Sequence, residues 1–157
     1  QNHVPWLPSY PETKDLLTRL ELFSVLTSCN EPISTEELAL FLKNKAWGIV
    51  FQASKLLLEE WPSQAKDTLQ SLLTHKDNEV RLQASIILSF TYQDKAALKI
   101  LHDSYPEASR MLKEQILMAI AVIGSRESIP FLLQAFQEPS QKLRIQAASA
   151  IQRCLNY

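Results

Sequence analysis

The sequence predicts an all-α fold, a right-handed α-solenoid of antiparallel helix pairs, on three observations. Four glutamines, Gln52, Gln83, Gln115 and Gln146, recur with an almost constant period along the chain. Apolar residues recur with them: Ile49, Val80, Leu112 and Leu143 stand three places before each glutamine, and Leu38, Leu69, Leu101 and Leu132 stand eleven places before those. Two anchors per period, each within a helix-length apolar pattern, make two helices per unit, and such a period marks a stacked helical array. Composition is the third observation. Gly48 and Gly124 are the only glycines, too few for a series of tight hairpins or a glycine-rich phosphate loop. Leu, Ala, Gln, Glu and Lys, all strong helix formers, dominate.

The chain is expected to form one domain over residues 1–157, opening with an extended lead-in over 1–13. Pro5, Pro8 and Pro11 forbid regular helix there, and Trp6 and Tyr10 are expected to pack onto the first helix. Residues 14–30 hold that helix, amphipathic from Lys14 to Ser28, with Leu16, Leu17, Leu20, Phe23, Val25 and Leu26 on its apolar pattern. Its Glu21 falls one period before Gln52, so this helix reads as the second half of an earlier unit or as a cap.

Four helix pairs are expected over 34–61, 63–92, 94–123 and 125–157. In the first, Ser34 to Glu37 forms a capping box that starts helix 35–44, and helix 45–60 stops at Trp61-Pro62, because proline disfavours helical geometry in the residue before it. Helices 64–75 and 78–91 make the second pair, with Asp77 as N-cap. Helices 94–104 and 108–123 make the third, ended by Gly124 as a C-cap. Helices 128–137, with Pro130 tolerated in its first turn, and 141–155 make the fourth.

A chain of 157 residues can bury about 70% of the surface its unfolded form exposes, enough for a stable core. Sixteen basic against seventeen acidic residues leave a formal charge of −1 with no block of one sign, which argues against nucleic acid as a partner. No apolar run of about 20 residues offers a membrane span. Gln1 opens the chain without a basic-then-apolar leader, so a targeting segment is expected to be absent or already removed, and the expected location is cytoplasmic. Cys29 and Cys154 fall at opposite ends of an array whose distant units do not touch, so both are expected as free, buried thiols.

The fourth unit carries a specific pattern: Gly124, Ser128-Ile129-Pro130, Leu132, Ala135, Pro139, Leu143-Arg144, Ala147-Ala148, Ala150 and Ile151. It resembles the HEAT repeat, most closely the short HEAT-like subtype named after phycobilisome lyases. Asp77, Val80-Arg81, Ala84 and Leu88 match in the second unit, and the likeness extends over roughly residues 14–155. The third unit departs from it: Lys113 replaces the usual arginine, and Ile116-Leu117 replace small residues, which should push that helix away from its neighbours. The resemblance implies a scaffold fold more than a chemistry. Iron-holding hydroxylases of this kind carry repeated His-Glu dipeptides, and His3, His75 and His102 are followed by no Glu. No metal, cofactor or catalytic site is expected, and Trp47 and Trp61 read as packing residues.

In HEAT arrays the second helix of each pair lines the concave surface. At 100° per residue Val80, Ala84, Ile87 and Leu88 form the buried side of helix 78–91, which turns Leu82 and Ile86 outward. Carried through the units, the outward columns read Leu20, Phe51, Leu82, Glu114, Ile145 and Ser24, Lys55, Ile86, Met118, Ser149, with Gln52, Gln83, Gln115 and Gln146 along the edge. Phe51, Leu82, Ile86 and Met118 would then form an apolar partner-binding groove flanked by Lys55, Ile145 and the glutamines. The column Arg19, Arg81, Lys113 and Arg144 is expected to tie neighbouring units together. The function expected is a non-enzymatic scaffold for a protein or peptide segment, or for further repeats of the same parent protein. The alternative is an accessory or lyase-like subunit of an enzyme complex.

Overall fold

The computed structural model describes residues 15–29 and 33–156. The lead-in with its prolines, Trp6 and Tyr10, the start of the first helix at Lys14, and Asn30 to Pro32 lie outside the described residues. Among those described, every regular element is helical. The chain separates into two compact units, Gln1–Ala65 and Lys66–Tyr157.

The first unit contains α1 (Leu16–Ser28), α2 (Thr35–Phe41) and α3 (Trp47–Glu60). Asp15 caps α1 by accepting from the amides of Leu17 and Thr18. Ser34 caps α2 by accepting from the Glu37 amide at 3.2 Å. The other half of the expected capping box does not form, because the Glu37 carboxylate turns to the Arg19 guanidinium of α1. Both α1 and α2 pack against α3, and Leu20, Phe23, Leu38, Phe41, Val50, Ala53 and Leu57 are buried. Phe23 meets Phe41 edge to face at 6.0 Å, and Arg19 lies over the Phe41 ring. A fully buried aliphatic or aromatic side chain contributes about 1.5–3 kcal/mol, so these residues dominate the unit's stability.

Helix α4 (Pro62–Leu72) begins directly at Pro62, ahead of the expected start at position 64, with the Trp61 carbonyl accepting from the Ala65 amide at 2.9 Å. Proline lacks only an amide that a first turn leaves unbonded anyway. The boundary between the units falls within this helix.

The second unit continues with α5 (Asn78–Tyr92), α6 (Leu98–Ser104), α7 (Arg110–Ile123), α8 (Ile129–Ala135) and α9 (Gln141–Asn156). Asp77 caps α5 through the Glu79 amide at 2.9 Å, and Gly124 ends α7 at φ 66°, a left-handed conformation that suits a residue without Cβ. A 3₁₀ turn, Lys95–Ala97, leads into α6, and another, Arg126–Ser128, leads into α8. The two successions, 95–104 and 126–135, are the same in kind and length and lie one sequence period apart. α6 packs on α5 and α7, α8 packs on α9, and α7 lies between α5 and α9, so the three long helices form a row.

The column Leu38, Leu69, Leu101 and Leu132 is buried throughout, as is the column Ala53, Ala84, Ile116 and Ala147. Ile116 and Leu117 do not hold α7 off as expected; both are fully buried in a helix that packs on α5 and α9, so the core accommodates them. Both cysteines are free thiols, but Cys29 is exposed and only Cys154 is buried, because Cys29 falls at the C-cap of α1, past its packed turns.

Candidate functional site

Two of the residues expected to line a partner groove, Leu82 and Ile86, do not face solvent. Leu82 and Ile86 are only 7% and 1% exposed, and every residue from Leu82 to Ser89 is buried. The helical-wheel projection places a solvent face where none exists, since α5 meets α6, the 3₁₀ turn before it and α7. A helix enclosed in this way carries apolar residues on more than one side, and the polar Ser85 and Ser89 are buried with them. Gln83 is buried in the same run, whereas Phe51, Gln52 and Lys55 of α3 are exposed; Phe51 lies against Trp47, and Lys55 reaches Glu59 at 3.8 Å.

Two of the expected residues do meet. Met118 of α7 and Gln146 of α9 line a groove of about 220 Å³. Leu117, Ala121 and Val122 complete its α7 wall, Ser149 and Arg153 its α9 wall, and Phe90 closes it from the end of α5. Phe90 and Met118 are 46% and 43% exposed, large apolar side chains left facing solvent beside a buried floor at Leu117. The polar groups in the wall are an amide, a hydroxyl and a guanidinium.

Phe90, Val122 and Arg153 are absent from the residues expected on sequence, yet they carry a readable signal. They stand seven places after Gln83, Gln115 and Gln146, one helical turn beyond the column that contains Met118 and Ser149. Two columns a turn apart on adjacent helices make the groove, and the expectation rests on the first alone. Ile145 is exposed but lies outside the groove. The glutamine column has no common role: the side-chain oxygens of Gln115 and Gln146 are buried with no donor among the described residues, while Gln52 faces solvent.

A second hollow, about 390 Å³, lies among α5, α6 and the start of α7, with Leu82, Ile100 and Leu112 as apolar lining and Glu79, Asp103 and Glu107 among its polar groups. Asp103 is held by Lys99 at 2.6 Å. Arg81, also in this wall, donates to the His75 carbonyl and to Asn78.

Of the basic column expected to tie neighbouring units together, Arg19 and Lys113 reach the following unit, whereas Arg81 and Arg144 do not. Arg81 closes the loop before its own helix, and Arg144 does the same through the carbonyls of Glu138 and Pro139 at 2.9 and 2.8 Å. Lys113 instead reaches forward to the Glu138 carboxylate at 2.8 Å and lies over the Tyr105 ring. Burial, with the Glu138 carboxylate adding to it, holds the Tyr105 phenol well above its ordinary pKa.

His102 lies half-buried on α6. Its Nε2 lies 3.2 Å from the buried Ser128 hydroxyl, and its ring stacks on Phe131 at 4.3 Å. Burial lowers its pKa, with Asp103 opposing. A depressed folded-state pKa means that the neutral ring is favoured in the fold, so its contribution is present above the unfolded value of about 6.5 and is lost as pH falls through the folded one. Thermal melting is therefore expected to drop between about pH 7 and about pH 5 by more in the native chain than in His102→Gln. An equal drop in both would remove His102 from the account.

Among the described residues no three His, Cys, Asp or Glu side chains converge as a metal ion would need, and no helix is long and apolar enough to cross a membrane. Neither the protein-family models nor the curated proteins gave a match to this sequence.

Proposed function

We propose that this chain is a HEAT-like α-solenoid that acts as a non-enzymatic scaffold, holding a segment of a protein partner in the groove between α7 and α9. The observation that carries this reading is the apolar wall of Phe90 and Met118, both exposed, and the half-buried Val122, with Arg153 also lining the groove. Exposed apolar surface of this kind, bordered by polar groups, marks interaction sites. A guanidinium beside it suits a carboxylate on the incoming segment, so the partner is a peptide that offers an apolar side chain and an acidic one. The one-period shift between 95–104 and 126–135 supports the solenoid, as does the row of α5, α7 and α9. The reading carries with it a reducing, cytoplasmic setting, which the two free thiols favour.

The test is capture from native lysate followed by mass spectrometry, run with the native chain and with Phe90→Asp/Met118→Asp. Both side chains are exposed, so helicity should be unchanged while the captured protein is lost by at least tenfold, about 1.4 kcal/mol. Retention of the same partner by the double variant would sink the groove.

A further inference from the structure

The hollow among α5, α6 and the start of α7 is lined by a carboxylate that has no cation, although its counterpart one period later has one. In that later place Lys113 of α7 reaches the Glu138 carboxylate at 2.8 Å, and both side chains are less than one-fifth exposed. Counted back one period, Lys113 becomes Arg81, since each stands two places before its glutamine, Gln115 or Gln83. Glu138 becomes Glu107, since each stands five places before its leucine, Leu143 or Leu112. Arg81 and Glu107 both line the hollow, yet they form no pair. Arg81 turns back to the His75 carbonyl and the Asn78 side chain. Among the described residues no basic side chain comes within ion-pair reach of Glu107. The same construction thus holds a cation in one place and leaves that position open a period earlier.

The surroundings of Glu107 set what can fill the opening. Leu82 of α5, Ile100 of α6 and Leu112 of α7 supply apolar lining within about 390 Å³. Glu79 and Asp103, both exposed, add carboxylates from α5 and α6. Lys99 answers Asp103 at 2.6 Å, whereas Glu79, like Glu107, has no basic side chain beside it among the described residues. An exposed ion pair alone contributes little, so charge without the apolar lining would select nothing. A side chain with an apolar stem and a cationic head uses both parts of the hollow. Between the two such residues, lysine carries the compact ammonium that the matching place at Glu138 already accepts, whereas arginine carries a planar fork.

We propose that this hollow takes a lysine side chain from a basic segment of a protein partner, with the stem along Leu82, Ile100 and Leu112 and the ammonium at Glu107. Glu79 adds to the negative field that draws the segment in. The hollow shares no lining residue with the groove between α7 and α9 and selects the opposite charge, since that groove offers Arg153. The two sites can therefore stand or fall separately.

Nuclear magnetic resonance of the full chain, titrated with a blocked tripeptide that has lysine between two leucines, reads the hollow residue by residue. The amide signals of Ile100, Glu107 and Leu112 are expected to shift saturably, with a Kd on the order of 1 mM. Glu107→Gln, at an exposed position, should weaken that titration about fivefold, and norleucine in place of the peptide's lysine should weaken it by a similar factor. Glu127→Gln, exposed and outside the hollow, should titrate like the native chain, as should Phe90→Asp/Met118→Asp. Absence of shifts at those three amides up to about 10 mM peptide overturns the proposal, as does equal titration of Glu107→Gln or equal binding of the norleucine peptide. Equal binding of a peptide with glutamate at its centre, or of butylamine, overturns it too, the first by reversing the charge and the second by making a free amine the occupant.

Discussion

Leu101→Ala is expected to cost about 2–5 kcal/mol, the largest single loss the structure offers. Leu101 is fully buried in α6, a short helix, Leu98–Ser104, that cannot hold its shape by its own hydrogen bonds. Its position therefore depends on α5 and α7, against which it packs. Removing the side chain leaves a cavity lined by helices that cannot all close on it. Urea denaturation should show the midpoint falling with the slope unchanged. Leu155→Ala, on an exposed position near the end of α9, is the control and should stay within about 0.5 kcal/mol of the native chain. If the two variants behaved alike, the packing of α6 described above would be wrong.

Ala147→Leu should destabilise by about 1–3 kcal/mol for the opposite reason, too much volume. Ala147 is fully buried in α9, which packs against both α7 and α8. At the matching positions of α3 and α5 stand Ala53 and Ala84, equally buried, whereas α7 carries Ile116. A branched side chain thus fits this column where the surroundings are built for it, and the cost in α9 lies in neighbours already closed around a methyl group. Ala148→Leu, at the next position and exposed, is expected to be nearly neutral. Chemical denaturation of the two variants side by side separates packing from any change in helix propensity.

The all-helical fold is legible because burial repeats with the sequence. The column of Leu38, Leu69, Leu101 and Leu132 is buried at every occurrence, and Ser34, Asp77 and Gly124 cap the helices they are expected to cap. The ends of the shorter helices are not legible. Residues 42–44, 73–75 and 137–138 suit a helix by composition, but their amides bond three places back, as Leu42 does to Ala39, Leu73 to Gln70 and Gln137 to Gln134. The last turn tightens into 3₁₀ geometry, which the pattern of apolar residues does not encode.

The face of α5 fails for a different reason. Periodicity reports that a helix has one apolar side, but Leu82 and Ile86 are apolar because α5 is enclosed on more than that side. Met118 and Gln146 are legible because their columns run unbroken across α7 and α9. Phe90 and Arg153 require the next turn as well, and whether two columns form one groove depends on how closely helices approach, a property of packing.

The Lys113–Glu138 pair constrains how this chain can vary over time. Each side chain is less than one-fifth exposed, so loss of either partner leaves a charge in poor contact with water. Joint replacement by apolar residues strands neither charge. The two positions, far apart in sequence, are thus free to drift only as a couple, and a lineage that altered Lys113 alone would be pressed to alter Glu138 next.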